Sequence, residues 1–314
     1  MNPVRSERPD MPRTEPSPSR RRLLQGLPVT ERTVQLDGVS TALWEGGEGP
    51  PLILLHGQGG SAAAWIPVIP RLAAARRLII PDLPGLGESV INRGEIDAER
   101  ATAWLRALIA QTCDEPPTLA GISLGGTFAA HFAVRRGRAC RQVVLIDSGS
   151  LAPFRPDPRV LPALIRLAVR PSDRNVERLF RHTVVDLDRF KALMGRKWPD
   201  FLAYGRERAA TPSVQAANRQ LLRRLGTRQI PEPDLRRIEA PMALIWGRHD
   251  RVMKLRIAEA ASARFGWPLQ VLEDSGHACC WDQPDAFANA LHAAMAGSAP
   301  MSALADRARP ESGL

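Results

Sequence analysis

The segment Gly121-Ile122-Ser123-Leu124-Gly125-Gly126 constrains this chain more than any other. It follows the short apolar run Thr118-Leu119-Ala120 and leads into residues 127–134, which read as a helix. A serine held between glycines at a strand-to-helix corner has its hydroxyl lifted off the sheet edge. The helix N-terminus behind it offers backbone N–H donors and a positive dipole end to an anionic intermediate. The flanking glycines are required because side chains would collide at so sharp a bend.

The neighbouring runs supply the context. Pro51-Leu52-Ile53-Leu54-Leu55 breaks into His56-Gly57-Gln58-Gly59-Gly60. Arg77-Leu78-Ile79-Ile80-Pro81 breaks into Asp82-Leu83-Pro84-Gly85. Val143-Val144-Leu145-Ile146 ends at Asp147, and Met242-Ala243-Leu244-Ile245-Trp246 runs into Gly247-Arg248-His249-Asp250. Leu269-Gln270-Val271-Leu272 is followed by Ser275-Gly276-His277. These runs are mostly continuously apolar, the pattern of strands buried on both faces of a parallel sheet. Helical segments at 98–111 and 256–265 separate several of them. Alternating strands and helices imply right-handed crossovers and a doubly wound sheet. Functional groups then belong at the carboxyl ends of the strands, where Ser123, Asp250, His277 and the His56-Gly57-Gln58 loop all fall.

Taken together, these motifs resemble the α/β-hydrolase superfamily in its cap-bearing branch. The matching residues are His56 to Gly60, Asp82-Leu83-Pro84-Gly85-Leu86-Gly87-Glu88-Ser89, Gly121 to Gly126, Trp246 to Asp250, and Gly276-His277, in the order nucleophile, acid, histidine. The resemblance covers roughly residues 33–296, without the middle insert. It implies a mostly parallel doubly wound sheet with an inserted helical cap over the catalytic serine.

The chain of 314 residues has room for one large α/β domain with an insertion. Residues 31–150 and 240–296 read as the core and 151–239 as the cap. Residues 1–30 read as a disordered basic tail and 297–314 as a flexible one. Ser19 to Gln25 faintly resembles a twin-arginine export signal, but no apolar stretch follows it. No segment approaches the ~20 apolar residues of a membrane span. Cys113, Cys140, Cys279 and Cys280 show neither zinc-site nor redox spacing, which fits a reduced cytoplasmic setting.

The net charge of +10 is uneven. The cap carries 19 basic against 10 acidic residues. A basic cap would attract an anionic small molecule. No nucleic-acid recognition motif accompanies the charge, so neither a nucleic-acid nor a membrane partner is expected.

Ser123 is the expected nucleophile, and it needs an adjacent base. His277 is placed for that role after the last strand run. Asp250 is the expected acid, holding the imidazole in one tautomer. Asp147 is its rival, one strand earlier; the Gly-Arg-His-Asp turn matches the family's acid turn and favours Asp250. The oxyanion donors would be the backbone N–H groups of Gln58 and Leu124, so the Gln58 side chain need not matter for this role. His56 reads as structural. Trp65 and Trp281 are suggested for an acyl pocket, and Cys279 for packing. No cofactor and no metal is implied.

These residues point to a serine hydrolase acting on a carboxylic ester, lactone or thioester of a small molecule. A carbon–carbon hydrolase of the meta-cleavage type is the nearest rival. The chain departs from that group at Ile122, where asparagine is usual, and at Gln58-Gly59-Gly60-Ser61. An acyltransferase and a non-catalytic ligand-binding protein complete the alternatives.

Overall fold

The computed structural model of the protein describes residues 17–297. Among the described residues nine strands form one sheet: β1 (Thr30–Leu36), β2 (Val39–Gly46), β3 (Pro51–Leu55), β4 (Arg77–Pro81), β5 (Val90–Ile91), β6 (Thr118–Ile122), β7 (Gln142–Ile146), β8 (Met242–Gly247) and β9 (Leu269–Leu272). The order is β1-β2-β4-β3-β6-β7-β8-β9, with β5 paired to β2. β1, β2 and β5 pair antiparallel, and β2 also meets β4 antiparallel. From β4 through β9 every pairing is parallel.

The apolar runs explain why these strands are central. Successive side chains of a strand point to opposite faces. Ile53, Leu55, Val143, Leu145, Leu244 and Trp246 fill one core. Their neighbours Leu52, Leu54, Val144, Ile146, Ala243 and Ile245 fill the other. A strand covered on both sides cannot alternate with polar residues, and these do not. The helices Ala98–Thr112 and Leu124–Arg136 cover the first face. Pro284–Ala296 covers the second.

Chain direction across the sheet reverses between β3 and β6: β3 is followed in sequence by β4 on one side, and β6 by β7 on the other. The carboxyl ends of β3 and β6 therefore lie side by side at a topological switch point. The His56 loop and Ser123 leave from those two ends.

The insert between β7 and β8 contains no strand among its described residues. Its helices are Leu161–Val169, Asp173–Thr183, Leu187–Met194, Trp198–Ala210, Pro212–Leu221 and Glu232–Arg236. Ser172 and Asp186 cap two of them, accepting from Asn175 N and from Asp188 and Arg189 N. Arg208 to Glu88 and Arg224 to Glu95 tie the insert to the core.

The expected basic tail needs correction. From residue 17 onward it is folded: Pro18–Leu24 is a helix capped by Ser17, and β1 begins at Thr30. Leu23 is buried and so, wholly, is Arg20. The Arg20 guanidinium pairs with Asp82 at 2.8 Å and Glu31 at 2.5 Å, and donates to Tyr204 Oη at 2.9 Å. It lies 5.1 Å from the Trp44 ring centroid. Buried carboxylates provide what a basic composition alone cannot, a reason for that segment to order. Tyr204 belongs to the insert, Asp82 to the turn after β4 and Glu31 to β1, so one side chain joins three parts of the chain. Lys197 donates to Leu23 O at 2.7 Å and Arg22 pairs with Asp200 at 2.7 Å, strengthening the same seam. Residues 1–16 and 298–314, the rest of the two expected tails, lie outside the described residues.

Removing one partner of a buried ion pair strands the other charge. Arg20→Ala should lower the unfolding free energy by about 3–5 kcal/mol, measured by urea denaturation. Arg22→Ala, at a half-exposed pair, should cost about 1 kcal/mol or less.

Candidate active site

Ser123 caps the helix Leu124–Arg136 with φ 54° and ψ −116°. A non-glycine residue there is strained, by about 1–3 kcal/mol. The corner holds because nothing around it has a side chain to spare. A Cβ on Gly121 would meet Gly125 C at 2.4 Å. One on Gly125 would meet Leu55 O at 2.1 Å, and one on Gly126 would meet Ser148 Oγ at 2.2 Å. Ser123 N donates to Ile146 O at 3.0 Å, fixing the turn to β7.

The loop after β3 packs against this corner. A Cβ on Gly57 would lie 3.3 Å from Ser123 Cβ and 3.8 Å from its Oγ. His56 holds the loop. Its Nδ1 donates to Gly57 O at 2.8 Å, and its Nε2 accepts from Leu83 N at 2.9 Å. Those two bonds define one neutral tautomer, and complete burial holds the imidazole pKa below its ordinary value. Among the described residues, neither the Gln58 nor the Leu124 amide N–H has a hydrogen-bond acceptor. Two unpartnered donors beside a serine hydroxyl are what an oxyanion needs.

Asp250 and His277 stand on the loops after β8 and β9. His277 Nδ1 donates to Asp250 Oδ2 at 2.9 Å. Asp250 Oδ1 accepts from Val252 N at 2.6 Å and Met253 N at 2.8 Å. The acid is thus positioned by its own turn, and the imidazole Nε2 is left with its lone pair. Ser123 Oγ makes no hydrogen bond to His277 in this structure.

Asp147 is not the histidine's partner. It lies behind Asp250, fully buried at φ 41°, with Oδ1 accepting from Gly247 N at 2.9 Å and Oδ2 without a donor. Burial, and then the charge of Asp250, pushes its carboxyl well above the ordinary range. The Cys279 thiol beside it is also raised well above its usual value by burial and by Asp147, so it is no nucleophile. All four cysteines are free.

Three features escaped the sequence reading. Asp282 accepts from Gly276 N at 2.8 Å and Val185 N at 2.9 Å, pinning the His277 loop to the insert. The Gln58 side chain is engaged after all: Nε2 donates to Asn218 O at 2.9 Å and Asn218 Oδ1 at 3.0 Å. Asn218 lies on Pro212–Leu221, so the loop carrying the free Gln58 amide is bonded to the insert. Finally, Trp281 stacks on Phe190 with centroids 4.7 Å apart, edge-on to Phe180 and Phe201. Its Nε1 donates to Ala64 O at 2.6 Å. This aromatic wall joins the insert to the turn after His277. Trp65 is different: it is wholly buried against Phe287, so it packs the core and lines no pocket. Among the described residues no three His, Cys, Asp or Glu side chains gather as a metal site.

With a strained serine at the switch point and a histidine–carboxylate pair on the loops after β8 and β9, the architecture is that of an α/β hydrolase. A family model described as "Alpha/beta hydrolase family" matches residues 52–290, and the chain belongs to that family. It is 26% identical over 264 residues to a pimeloyl-[acyl-carrier protein] methyl ester esterase of Vibrio campbellii, covering 77% of this chain and 92% of that one. Among solved structures it is similar to a bacterial membrane phospholipase A described as a virulence factor. That match has 28% identity and a TM-score of 0.75, covering 89% and 90% of the two chains. The fold is also that of 2-hydroxy-6-oxo-6-phenylhexa-2,4-dienoate hydrolase from Rhodococcus sp. strain RHA1, with TM-score 0.74, 21% identity, and coverage of 86% and 100%.

The raised Asp147 pKa carries a linkage consequence. The folded protein holds this proton more tightly than the unfolded chain. Below the ordinary carboxylate range both states keep it, and stability is unaffected; above about pH 4 the unfolded chain ionises first and stability falls. Asp147→Asn keeps an acceptor for Gly247 N and has no proton to lose. Urea denaturation of both proteins from about pH 4 to about pH 8 should show the wild type losing stability relative to the variant as pH rises.

Proposed function

We propose that the protein is a serine hydrolase that cleaves a carboxylic ester, lactone or thioester of a small organic molecule through an acyl-enzyme on Ser123. One observation carries the reading: a strained serine between two unpartnered amides, with a histidine oriented by a buried carboxylate on the facing loops. The relative from Vibrio campbellii, named as a methyl ester esterase, supports the ester class.

The Asp250 bond puts the proton on His277 Nδ1 and leaves Nε2 basic. Nε2 takes the Ser123 hydroxyl proton as Oγ attacks the carbonyl carbon. The carbonyl oxygen becomes an oxyanion and accepts from the Gln58 and Leu124 N–H groups, each worth about 3 kcal/mol. Nε2 then returns its proton to the departing alkoxide or thiolate, leaving an acyl ester on Oγ. Water, deprotonated by the same nitrogen, releases the acid. The helical insert acts as the lid in this scheme: the half-buried Trp281 and Phe180, backed by the buried Phe190, offer apolar surface to an acyl group and exclude water. Four free thiols fit a reducing, cytoplasmic location.

A fluorophosphonate probe should label the pure protein, and Ser123→Ala should not be labelled. Nitrophenyl ester turnover should fall by about 10⁶-fold in Ser123→Ala. Asp250→Asn should lose about 10⁴-fold because the wrong tautomer is then favoured, while Asp147→Asn stays within a few-fold of wild type. Turnover of a dienoic ring-fission product with no ester turnover would replace this reading by carbon–carbon hydrolysis.

A further inference from the structure

The first insert helix is built inside out. Surface helices of globular proteins place apolar residues toward the core and polar ones toward water. On Leu161–Val169 the side facing the protein carries only the small buried Ala163 and the half-buried Leu164 and Leu167. The opposite side carries Leu161, Ile165 and Val169 at i, i+4 and i+8, which are 51%, 53% and 79% exposed. Pro162 and Ala168, also exposed, widen that stripe. All three large side chains belong to the small set of exposed large apolar residues in the described structure. A contiguous exposed apolar stripe of this kind marks an interaction surface.

The charge around it is one-sided. Residues 151–181 hold seven arginines against Asp157, Asp173 and Glu177. Each of those acids is already paired, with Arg159, Arg206 and Lys191 respectively. Arg155, Arg166, Arg170, Arg174 and Arg181 are exposed and make no ion pair among the described residues. Arg166 borders the apolar stripe, one turn from Pro162 and from Val169. Arg166 is on the helix itself, Arg170 is its C-terminal cap, and Arg174 and Arg181 are on the next helix, which packs against it.

We propose that the helix Leu161–Val169 docks the protein on the surface of an anionic lipid bilayer, lying in the headgroup plane with Leu161, Ile165 and Val169 inserted and the flanking arginines on lipid phosphates. This differs from a span, and no helix among the described residues is long and apolar enough to cross a membrane. An amphipathic helix with arginines beside an aliphatic face has the form that binds interfaces. The stripe is convex, on a single helix, and aliphatic throughout. A fluid interface accepts that shape directly, whereas a protein partner has to supply a matching groove. A second copy of the chain would bring the same five unpaired arginines against their counterparts. The inference stands apart from the catalytic reading, because none of these residues touches Ser123, His277 or Asp250.

The test is co-sedimentation of the full chain with mixed phosphatidylglycerol–phosphatidylcholine vesicles and with pure phosphatidylcholine vesicles. Binding to the mixed vesicles alone is expected, weakening as salt rises from about 50 mM to about 500 mM. Arg166→Gln and Arg170→Gln should each lower the partition coefficient roughly five-fold. Ile165→Glu with Val169→Glu should abolish binding while leaving fluorophosphonate labelling of Ser123 unchanged, which shows that the variant is folded. The proposal is overturned by absence of vesicle binding, or by binding that survives the double glutamate variant. It is equally overturned if light scattering finds a dimer in solution that the same variant dissociates, or if only an acidic protein is retained.

Discussion

One close approach sets the reaction end of the sheet: the N-terminus of Leu124–Arg136 against the ends of β3 and β6. Backbone meets backbone there at distances that exclude any Cβ on Gly121 or Gly125. That contact holds Ser123 at positive φ at the helix N-terminus and packs Gly57 alongside. The strain of about 1–3 kcal/mol is carried by the two apolar cores that flank the sheet. Without those cores the corner would relax.

Buried polar groups then fix what the corner cannot. His56, Asp82 and Asp282 each satisfy backbone donors that loops expose at the sheet edge. Arg20 neutralises Asp82 from outside the motif altogether. Asp147 is the exception, a carboxyl with one oxygen lacking a donor, lodged beside the acid that serves His277. Its environment favours the neutral form, and the imidazole of His277 bonds Asp250 instead.

The parts of the fold that could be read beforehand were those governed by local pattern. β3, β4, β6, β7 and β8 are unbroken apolar runs, and 256–265 forms the helix its spacing indicates. The serine corner and the Asp250–His277 pair were legible because turn chemistry and chain order specify them. The helix Pro18–Leu24 was not, since its composition of proline and arginine reads as solvated, and its order depends on Asp82 and Tyr204, about sixty and nearly two hundred residues distant. The Gln58 side-chain contact was not legible for the same reason: its partner Asn218 lies 160 positions away. The aromatic wall is assembled from four separated segments, and no single window of sequence contains it. The outward apolar stripe of Leu161–Val169 registered only as a helical pattern, because periodicity gives a helix its faces without saying which one meets the protein.

The bond from Gln58 to Asn218 ties the loop after β3 to the insert. On the proposed reading Gln58 would serve twice, its main chain donating to the oxyanion and its side-chain amide clasping the helix Pro212–Leu221. A swing of that helix would then release the clasp, and the entry of a molecule would be coupled to the readiness of the anion cradle.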